Sequence, residues 1–265
     1  MNRIWTYTYV AYTAVRSNVA YVGDVFARVL FLGVVLYIFL RLWRVTYSET
    51  GADTLGWFTL AEMLWYLAIT ESIVLSAPQM ALEIDSDVRT GAIAVHLLRP
   101  LSYPLYRLWT TLGERTVRFA MNITVAMAVA FAFVGPIHVN VRGLVIFACA
   151  LPLAFVLDFT AYFVIGMGAF WLENTTGLTL VYSRVAMIFG GMLLPIELFP
   201  EGLQRVVGWL PFASVVYGPA RLFIHPDAAF LGGLLVRQVI AVGLLALIAA
   251  AIYAAAVRRI HSHGG

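Results

Sequence analysis

The chain contains no lysine and only one cysteine: all 17 of its basic residues are arginine. The phosphate-binding loop GxxxxGK[ST] needs a lysine, so the sequence excludes an ordinary nucleotide-hydrolysing site in this chain, and any use of ATP has to come from another polypeptide. Cys149 alone excludes an internal disulfide, and the histidines do not have the spacing of a metal site. We therefore expect neither a catalytic site nor a bound cofactor or metal in this chain.

Charge is scarce as well. Charged residues make up 12% of the chain and hydrophobic residues 62%, and the mean hydropathy is +0.88. A soluble chain of 265 residues needs far more charge to cover its surface. The composition therefore predicts a polytopic membrane protein, and the net charge of +3 is too small to indicate nucleic-acid binding.

Six apolar stretches reach the roughly 20 residues that a bilayer-crossing helix needs. The predicted fold is therefore an all-α integral membrane protein, with residues 19–265 as a single six-span domain. The predicted spans are 21–43, 57–80, 117–136, 143–172, 178–199 and 231–257. With both termini in the cytoplasm, ten arginines lie on or near the cytoplasmic side of the membrane and six lie outside. Because positive charge is usually in excess on the cytoplasmic side, we predict that orientation.

Residues 1–18 precede the first span and carry aromatic residues at helical spacing. Trp5, Tyr9 and Tyr12 lie at positions i, i+4 and i+7. Amphipathic aromatics settle in the headgroup layer, so the pattern favours an interfacial helix. The alternative is a short tail with incidental aromatics.

Residues 81–118 form a charge-rich segment, which holds nine of the chain's 31 Asp, Glu and Arg residues. Within it, Gly91 is followed by a short apolar stretch, 92–98, which we predict to be a helix that ends before Pro100 because proline cannot continue it. The apolar side chains Ile93, Leu97 and Leu98 would be exposed unless a partner covers them. The residues alone allow either a docking element for a soluble partner or a connector that lies on the membrane surface.

Two sequence runs carry a family resemblance. EIDSDVRTGAIAVHLLRPL at 83–101 resembles a cytosolic segment of ABC-2 type exporter permeases, and GGMLLPIELFP at 190–200 is similar to the end of their fifth span and the turn after it. The LLRPL version is closest to small permeases encoded as unequal pairs. The resemblance implies a multi-pass permease of a prokaryotic plasma (inner) membrane, working with a second permease, identical or paralogous, and with separate ATPase subunits.

The resemblance also assigns roles to segments. In the family the first cytosolic loop, here residues 81–108 (the coupling loop), lies on the ATPase. The coupling residues carried over are Glu83, Arg89, Gly91, Leu97, Arg99 and Pro100.

Residues 200–230 are too short and too interrupted to span the membrane. They alternate apolar residues with charges, and two short helices dipping into the outer leaflet fit this pattern. With the resemblance, the segment is predicted to be a re-entrant lid over the exit. The predicted lid residues are Pro195, Glu197, Pro200 and Trp209.

Ionisable residues within predicted spans each cost about 2.5–3.5 kcal/mol, and three of them, Glu71, Asp158 and Arg184, are the candidates for the translocation path. Glu71 and Asp158 lie mid-span and either line a polar translocation path or form a satisfied interhelical contact. Arg184 lies near the cytosolic end of the fifth span and either snorkels to the headgroups or pairs with a carboxylate.

Two other classes of membrane protein are weighed against the ATP-driven permease. A secondary transporter usually shows inverted repeats and a midplane ion site, but the two halves of the chain are not detectably similar. A membrane enzyme needs a nucleophile–base or metal constellation, and neither GxSxG nor paired histidines occur.

Overall fold

A computed structural model describes residues 3–19, 22–137 and 141–263, with the side chains of 3–5, 17–19, 22–29 and 260–263 outside this description. Within these ranges the chain is helical and contains no β-strand. The α-helices are α1 (Arg3–Val19), α2 (Val22–Thr50), α3 (Leu60–Leu75), α4 (Met80–Arg89), α5 (Ala92–Leu97), α6 (Tyr103–Val134), α7 (Val141–Met167), α8 (Thr176–Phe189), α9 (Glu201–Trp209), α10 (Pro211–Val215), α11 (Tyr217–Ile224) and α12 (Ala228–His263). Two 3₁₀ turns lie at Gly168–Phe170 and Ile196–Leu198.

Five helical stretches in the described ranges are long and apolar enough to cross a membrane, which agrees with an α-helical multi-pass membrane protein. They are Leu30–Thr50, Leu60–Arg89, Tyr103–Val134, Val141–Phe170 and Ala228–Arg259.

The predicted count of six spans is not confirmed, because the predicted fifth span is not one continuous helix. Helix α8 has only 14 residues and ends at Gly190. The next residue, Gly191, has a φ of 72°, a left-handed conformation that ends helices and that glycine adopts without strain. Beyond it, Pro195 precedes the 3₁₀ turn. The sequence pattern of apolar residues runs through this break, but the backbone does not.

The third predicted span also begins earlier than expected. Helix α6 starts at Tyr103 rather than near 117, with Pro104 in its first turn, where proline is well tolerated. Arg107 and Arg115 therefore lie on a helix and not in a connecting loop. Helices α3 and α4, in contrast, are separated by a break that contains Pro78.

Long-range hydrogen bonds define the two ends of the molecule. At the first end, which we call the α5 end, the Ser102 backbone N–H donates to the Tyr7 hydroxyl and Arg259 donates to the Phe170 carbonyl. At the opposite end, the α9 end, the Trp65 indole N–H donates to the Gly135 carbonyl at 3.1 Å. Helix α8 starts at the α5 end and leads toward the α9 end.

Helix α1 lies against α6 through small residues. A Cβ added at Gly113 would lie 2.6 Å from the Ala11 carbonyl oxygen, so the two backbones are in close contact. Tyr9 and Tyr12 point away from this contact and are exposed. The side chain of Trp5 lies outside the described residues, and an interfacial position for the segment 1–18 stays a prediction.

Helix α4 packs on α7 through a second glycine. A Cβ added at Gly166 would lie 2.9 Å from the Ile84 Cβ and 3.0 Å from the Ala81 carbonyl oxygen. Close packing of this kind fixes α4, and the hairpin that follows it, on the membrane-spanning helix α7.

Candidate functional site

The coupling loop folds as a helical hairpin, α4–turn–α5, at the α5 end of the molecule. Gly91 makes the turn with a φ of 73°, which an L-residue with a Cβ rarely adopts. Helix α5 is one residue shorter than the predicted helix 92–98, and Pro100 follows it before α6 begins.

The exposed surface of this hairpin differs from the predicted one. Ile93 is not exposed: only 3% of it is accessible, because it packs in a cluster with Tyr103 and Phe163. Leu97 is half-buried, whereas Leu98 is 87% exposed and Val95 is 59% exposed. Sequence reasoning missed Val95, although its i, i+3 spacing to Leu98 places the two on one helix face.

Two of the predicted coupling residues make contacts within the chain. Glu83 accepts a hydrogen bond from Arg107 at 2.8 Å, and the Arg89 guanidinium donates to the Glu173 backbone carbonyl. Gly91, Arg99 and Pro100 are exposed. The surface that is free to meet a partner therefore consists of Val95, Leu98, Arg99 and Pro100, with Gly91 at its edge; we call it the α5 patch.

Arg107 joins α4 to α6. Only 9% of it is exposed, and its guanidinium pairs with both Glu83 and Asp87 on α4. The Tyr103 hydroxyl donates to Asp87 at 2.8 Å. The sequence-based prediction placed Arg107 in a loop and so missed this network. Pro104, a residue favoured in the first turn of a helix, was the signal that Arg107 lies on a helix.

His96 does not add charge to the α5 patch. Its ring lies 5.6 Å from those of both Tyr103 and Tyr106. Burial lowers the pKa of His96; Asp87 acts in the opposite direction, and the charges of Arg99 and Arg107 lower the pKa further. A histidine whose pKa lies below its ordinary value of about 6.5 is neutral at pH 7.

Asp158 pairs with Arg115 across α6 and α7. Arg115 Nη1 lies 2.6 Å from Asp158 Oδ2, and their side chains are 2% and 8% exposed. Arg115 also donates to the Ser76 hydroxyl and lies over the Phe155 ring, 4.2 Å from its centroid. The partner was missed because Arg115 was placed in a loop. A position of Asp158 on a translocation path stays a prediction.

A cavity of about 50 Å³ adjoins this ion pair. Its wall includes Arg115 and Asp158 on one side and Tyr182, Ser183 and Met187 of α8 on another. The Tyr182 hydroxyl donates to Asp158 Oδ1 at 3.4 Å. The volume suffices for a few water molecules beside the charged groups.

Glu71 differs from Asp158 in its surroundings. It is 5% exposed on α3, and no described residue forms a hydrogen bond or an ion pair with its carboxylate. On the neighbouring helix α6, Asn122 is 4% exposed and its Nδ2 also lacks a hydrogen-bond partner within the described residues. Uncompensated polar groups are costly at this depth, so Glu71 and Asn122 are each candidates for a functional polar contact.

Arg184 lies on the exposed side of α8. Its Nη1 lies 3.9 Å from the Met187 sulfur, and within the described ranges it forms no ion pair. Of the two alternatives predicted for Arg184, pairing with a carboxylate is therefore not found among the described residues. None of the α8 side chains is buried, and several large apolar ones are exposed: Leu178, Leu180, Val181 and Ile188.

Glu197 connects the turn after α8 to α11. Its carboxylate accepts a hydrogen bond from the Tyr217 hydroxyl and lies 3.5 Å from Arg221 Nε. Burial raises the pKa of Tyr217, and the Glu197 carboxylate raises it further, so this hydroxyl stays protonated and donates. The Arg221 guanidinium in turn lies 3.9 Å from the centroid of the Phe230 ring.

The rest of the predicted lid forms three short helices rather than two. Pro195 precedes the 3₁₀ turn, Pro200 precedes α9, and α10 and α11 follow. Trp209, at the end of α9, is 86% exposed. A re-entrant position of the segment 200–230 in the membrane stays a prediction.

Comparison with known proteins identifies the family of the chain. No curated protein matches it. The model of a family described as ABC-2 family transporter protein matches residues 31–264, a range that includes both the α4–α5 hairpin and the lid segment. The resemblance found in the two sequence runs is thereby confirmed, and the chain belongs to the ABC-2 transporter family of membrane proteins.

Proposed function

We propose that this chain is the permease subunit of an ATP-driven ABC exporter that works with separate ATPase subunits and a second permease. The observation that carries the proposal is the α5 patch: an apolar, arginine-bearing surface on a hairpin at one end of the spanning helices. Because the chain has no lysine, it has no phosphate-binding loop of its own, and ATP hydrolysis has to be supplied by a docked partner.

The α5 patch has the composition of a docking surface. Val95 and Leu98 supply exposed apolar area, Arg99 supplies a charge beside them, and Pro100 restricts the backbone. Apolar anchors beside a charged residue give both affinity and orientation at an interface. The hairpin beneath them is held rigidly by the Arg107 network, so the patch is pre-organised for binding.

Helix α8 is where the second permease fits. It exposes a row of apolar side chains together with Arg184, and a charge that faces lipid costs about 2.5–3.5 kcal/mol. A second permease, identical or paralogous, would cover this face and supply a partner for Arg184. The Arg115–Asp158 cavity behind α8 and the Glu71 region are then candidates for the translocation path.

In the proposed orientation the α5 end and both termini face the cytoplasm of a prokaryotic cell, and the α9 end faces outward. Helices α9–α11, held by Glu197, Tyr217 and Arg221, form the lid over the exit. That the direction is export rests on the resemblance of the two sequence runs to exporter permeases.

The double variant Leu98→Asp/Arg99→Glu tests the docking role. It places two negative charges on an apolar and basic patch, so we expect co-purification of the ATPase to fall at least about tenfold, as for loss of a central interface contact. The measurement is ATPase activity and stoichiometry in the detergent-solubilised complex. Arg258→Glu is the matched control, because Arg258 is exposed at the same end of the molecule and outside the patch. Undiminished co-purification by the double variant, or transport by the chain without any ATPase, contradicts the proposal.

Cysteine labelling tests the orientation. Leu98 and Trp209 are almost equally exposed, at 87% and 86%, but lie at opposite ends of the molecule. In a Cys149→Ala background, we expect a membrane-impermeant maleimide to label Trp209→Cys on intact cells and Leu98→Cys only after permeabilisation. The reverse pattern would place the α5 patch outside the cell.

A further inference from the structure

The start of α8 is held by a side chain from α4. The residue before the helix, Thr175, is fully buried, and its backbone N–H and its hydroxyl both donate to Asp85 Oδ1, at 3.1 and 3.0 Å. A carboxylate is an effective cap for a helix N-terminus, because it accepts hydrogen bonds from donors that the helix leaves unpaired. Here the capping side chain comes from α4, which belongs to the coupling loop, and not from α8 itself.

Arg89 completes this contact one turn further along α4. It lies 3.5 Å from Asp85 Oδ2 as an i, i+4 pair, and it donates to the Glu173 carbonyl. Asp85 and Arg89 together therefore hold the segment 173–175, and we call this contact the α4–α8 joint. Asp85 is 7% exposed, so the joint is largely shielded from water.

The other sides of α4 are fixed to the membrane-spanning helices. Glu83 and Asp87 pair with Arg107 on α6, and Ala81 and Ile84 pack on Gly166 of α7. At its end, α4 turns at Gly91 directly into the helix that carries the α5 patch. Movement of the patch therefore acts on α4 through the Gly91 turn.

Besides the joint, α8 is attached at its far end, where the Tyr217 backbone N–H donates to the carbonyl of Gly190, the residue after the helix, at 3.0 Å. None of its residues is buried, and its polar contact with the membrane-spanning helices is the 3.4 Å hydrogen bond from Tyr182 to Asp158. The Tyr182 ring also packs on Tyr162 and Phe212. The joint therefore holds the start of α8, the helix that forms one wall of the cavity beside Arg115 and Asp158.

We propose that Asp85 is a positioning residue which transmits movement of the docked coupling loop to α8, so that ATP turnover opens and closes the cavity beside the Arg115–Asp158 pair. The inference rests on the proposed function as a permease driven by a docked ATPase. It adds a specific route: from the α5 patch through α4 and the α4–α8 joint to the wall of the path.

The test measures whether the cavity wall responds to ATP. Ser183→Cys, in a Cys149→Ala background, places a thiol on the α8 side of the cavity. In the purified complex with its ATPase, we expect the rate of labelling by a small methanethiosulfonate to differ between the nucleotide-free and the Mg-ATP–vanadate states. Adding Asp85→Ala should abolish that difference while ATPase co-purification and basal hydrolysis remain. Thr175→Ala should reduce the difference, whereas Thr175→Ser, which keeps the hydroxyl, should restore it.

Arg259→Ala is the matched control, because it removes another arginine-to-carbonyl hydrogen bond at the same end of the molecule, outside the joint. It should leave the response intact. If the ATP-dependent difference in labelling rate persists unchanged in both Asp85→Ala and Thr175→Ala, the proposed role of the α4–α8 joint is wrong. If Asp85→Ala does not assemble, the comparison of Thr175→Ala with Thr175→Ser decides. A parent chain that never retains an ATPase refutes the proposed function instead, so the two failures are distinguishable.

Discussion

Asp158→Leu is expected to cause a large loss of stability. It leaves the Arg115 guanidinium, 2% exposed, without its carboxylate partner. Removal of one member of a buried ion pair costs about 3–5 kcal/mol, since an uncompensated charge stays in a low-dielectric interior. We expect a loss of this size in the free energy of unfolding, measured by denaturant titration in detergent micelles.

The double variant separates pairing from packing. Arg115→Met/Asp158→Leu removes both charges and keeps most of the volume, so it should recover most of the stability lost in Asp158→Leu. Glu114→Gln provides the comparison on the same helix, because it breaks the i, i+4 pair of Glu114 with Arg118. Pairs of this type contribute below about 1 kcal/mol. A single Asp158→Leu variant as stable as the parent would show that Arg115 is compensated by its other contacts alone.

Gly166→Val is expected to have the second large effect, on both stability and coupling. The new Cβ would lie 2.9 Å from the Ile84 Cβ, closer than carbon atoms pack, so α4 has to move away from α7. Overpacking of this kind costs about 1–3 kcal/mol. Because α4 carries both the α5 patch and the α4–α8 joint, we also expect ATP-dependent transport to be lost.

Gly243→Val is the matched control for this change. Gly243 lies within α12, and nothing stands within 4 Å of a Cβ added there. The control makes the same exchange of residue type in a helix without the clash. Equal unfolding free energies and equal transport in the two variants would show that the α4–α7 contact is not tight in the working protein.

Composition was sufficient to predict a helical membrane protein, because long apolar helices need no tertiary information to be recognised. The predicted fifth span failed for a local reason. Hydropathy continues from Leu178 to Phe199, but hydropathy does not register backbone conformation, and Gly191 in a left-handed conformation ends α8 early. The pair Gly190-Gly191 followed by Pro195 is the sequence signal that would have indicated the break.

The site residues were predictable to different degrees. The positions of Gly91 before α5 and Pro100 after it were predictable from the sequence. Each residue acts through the conformation of its own backbone and needs no tertiary contact. Which face of α5 is exposed could not be read from the residues, because six residues hold too few positions for a clear periodicity, and burial of Ile93 depends on Tyr103 and Phe163. The Arg115–Asp158 pair joins residues 43 positions apart, and only the packing of α6 on α7 brings them together.

The length of α6 sets how far the α5 patch stands from the lipid. Its 32 residues correspond to about 48 Å at 1.5 Å per residue, whereas the hydrocarbon core is about 30 Å thick. A substantial part of the helix therefore extends past the acyl chains, and the anchoring of α4 near Tyr103 and Arg107 places the extension at the cytoplasmic side in the proposed orientation. In the proposed function, an ATPase docked on the α5 patch would therefore lie beyond the lipid headgroups, where its movement does not displace phospholipid.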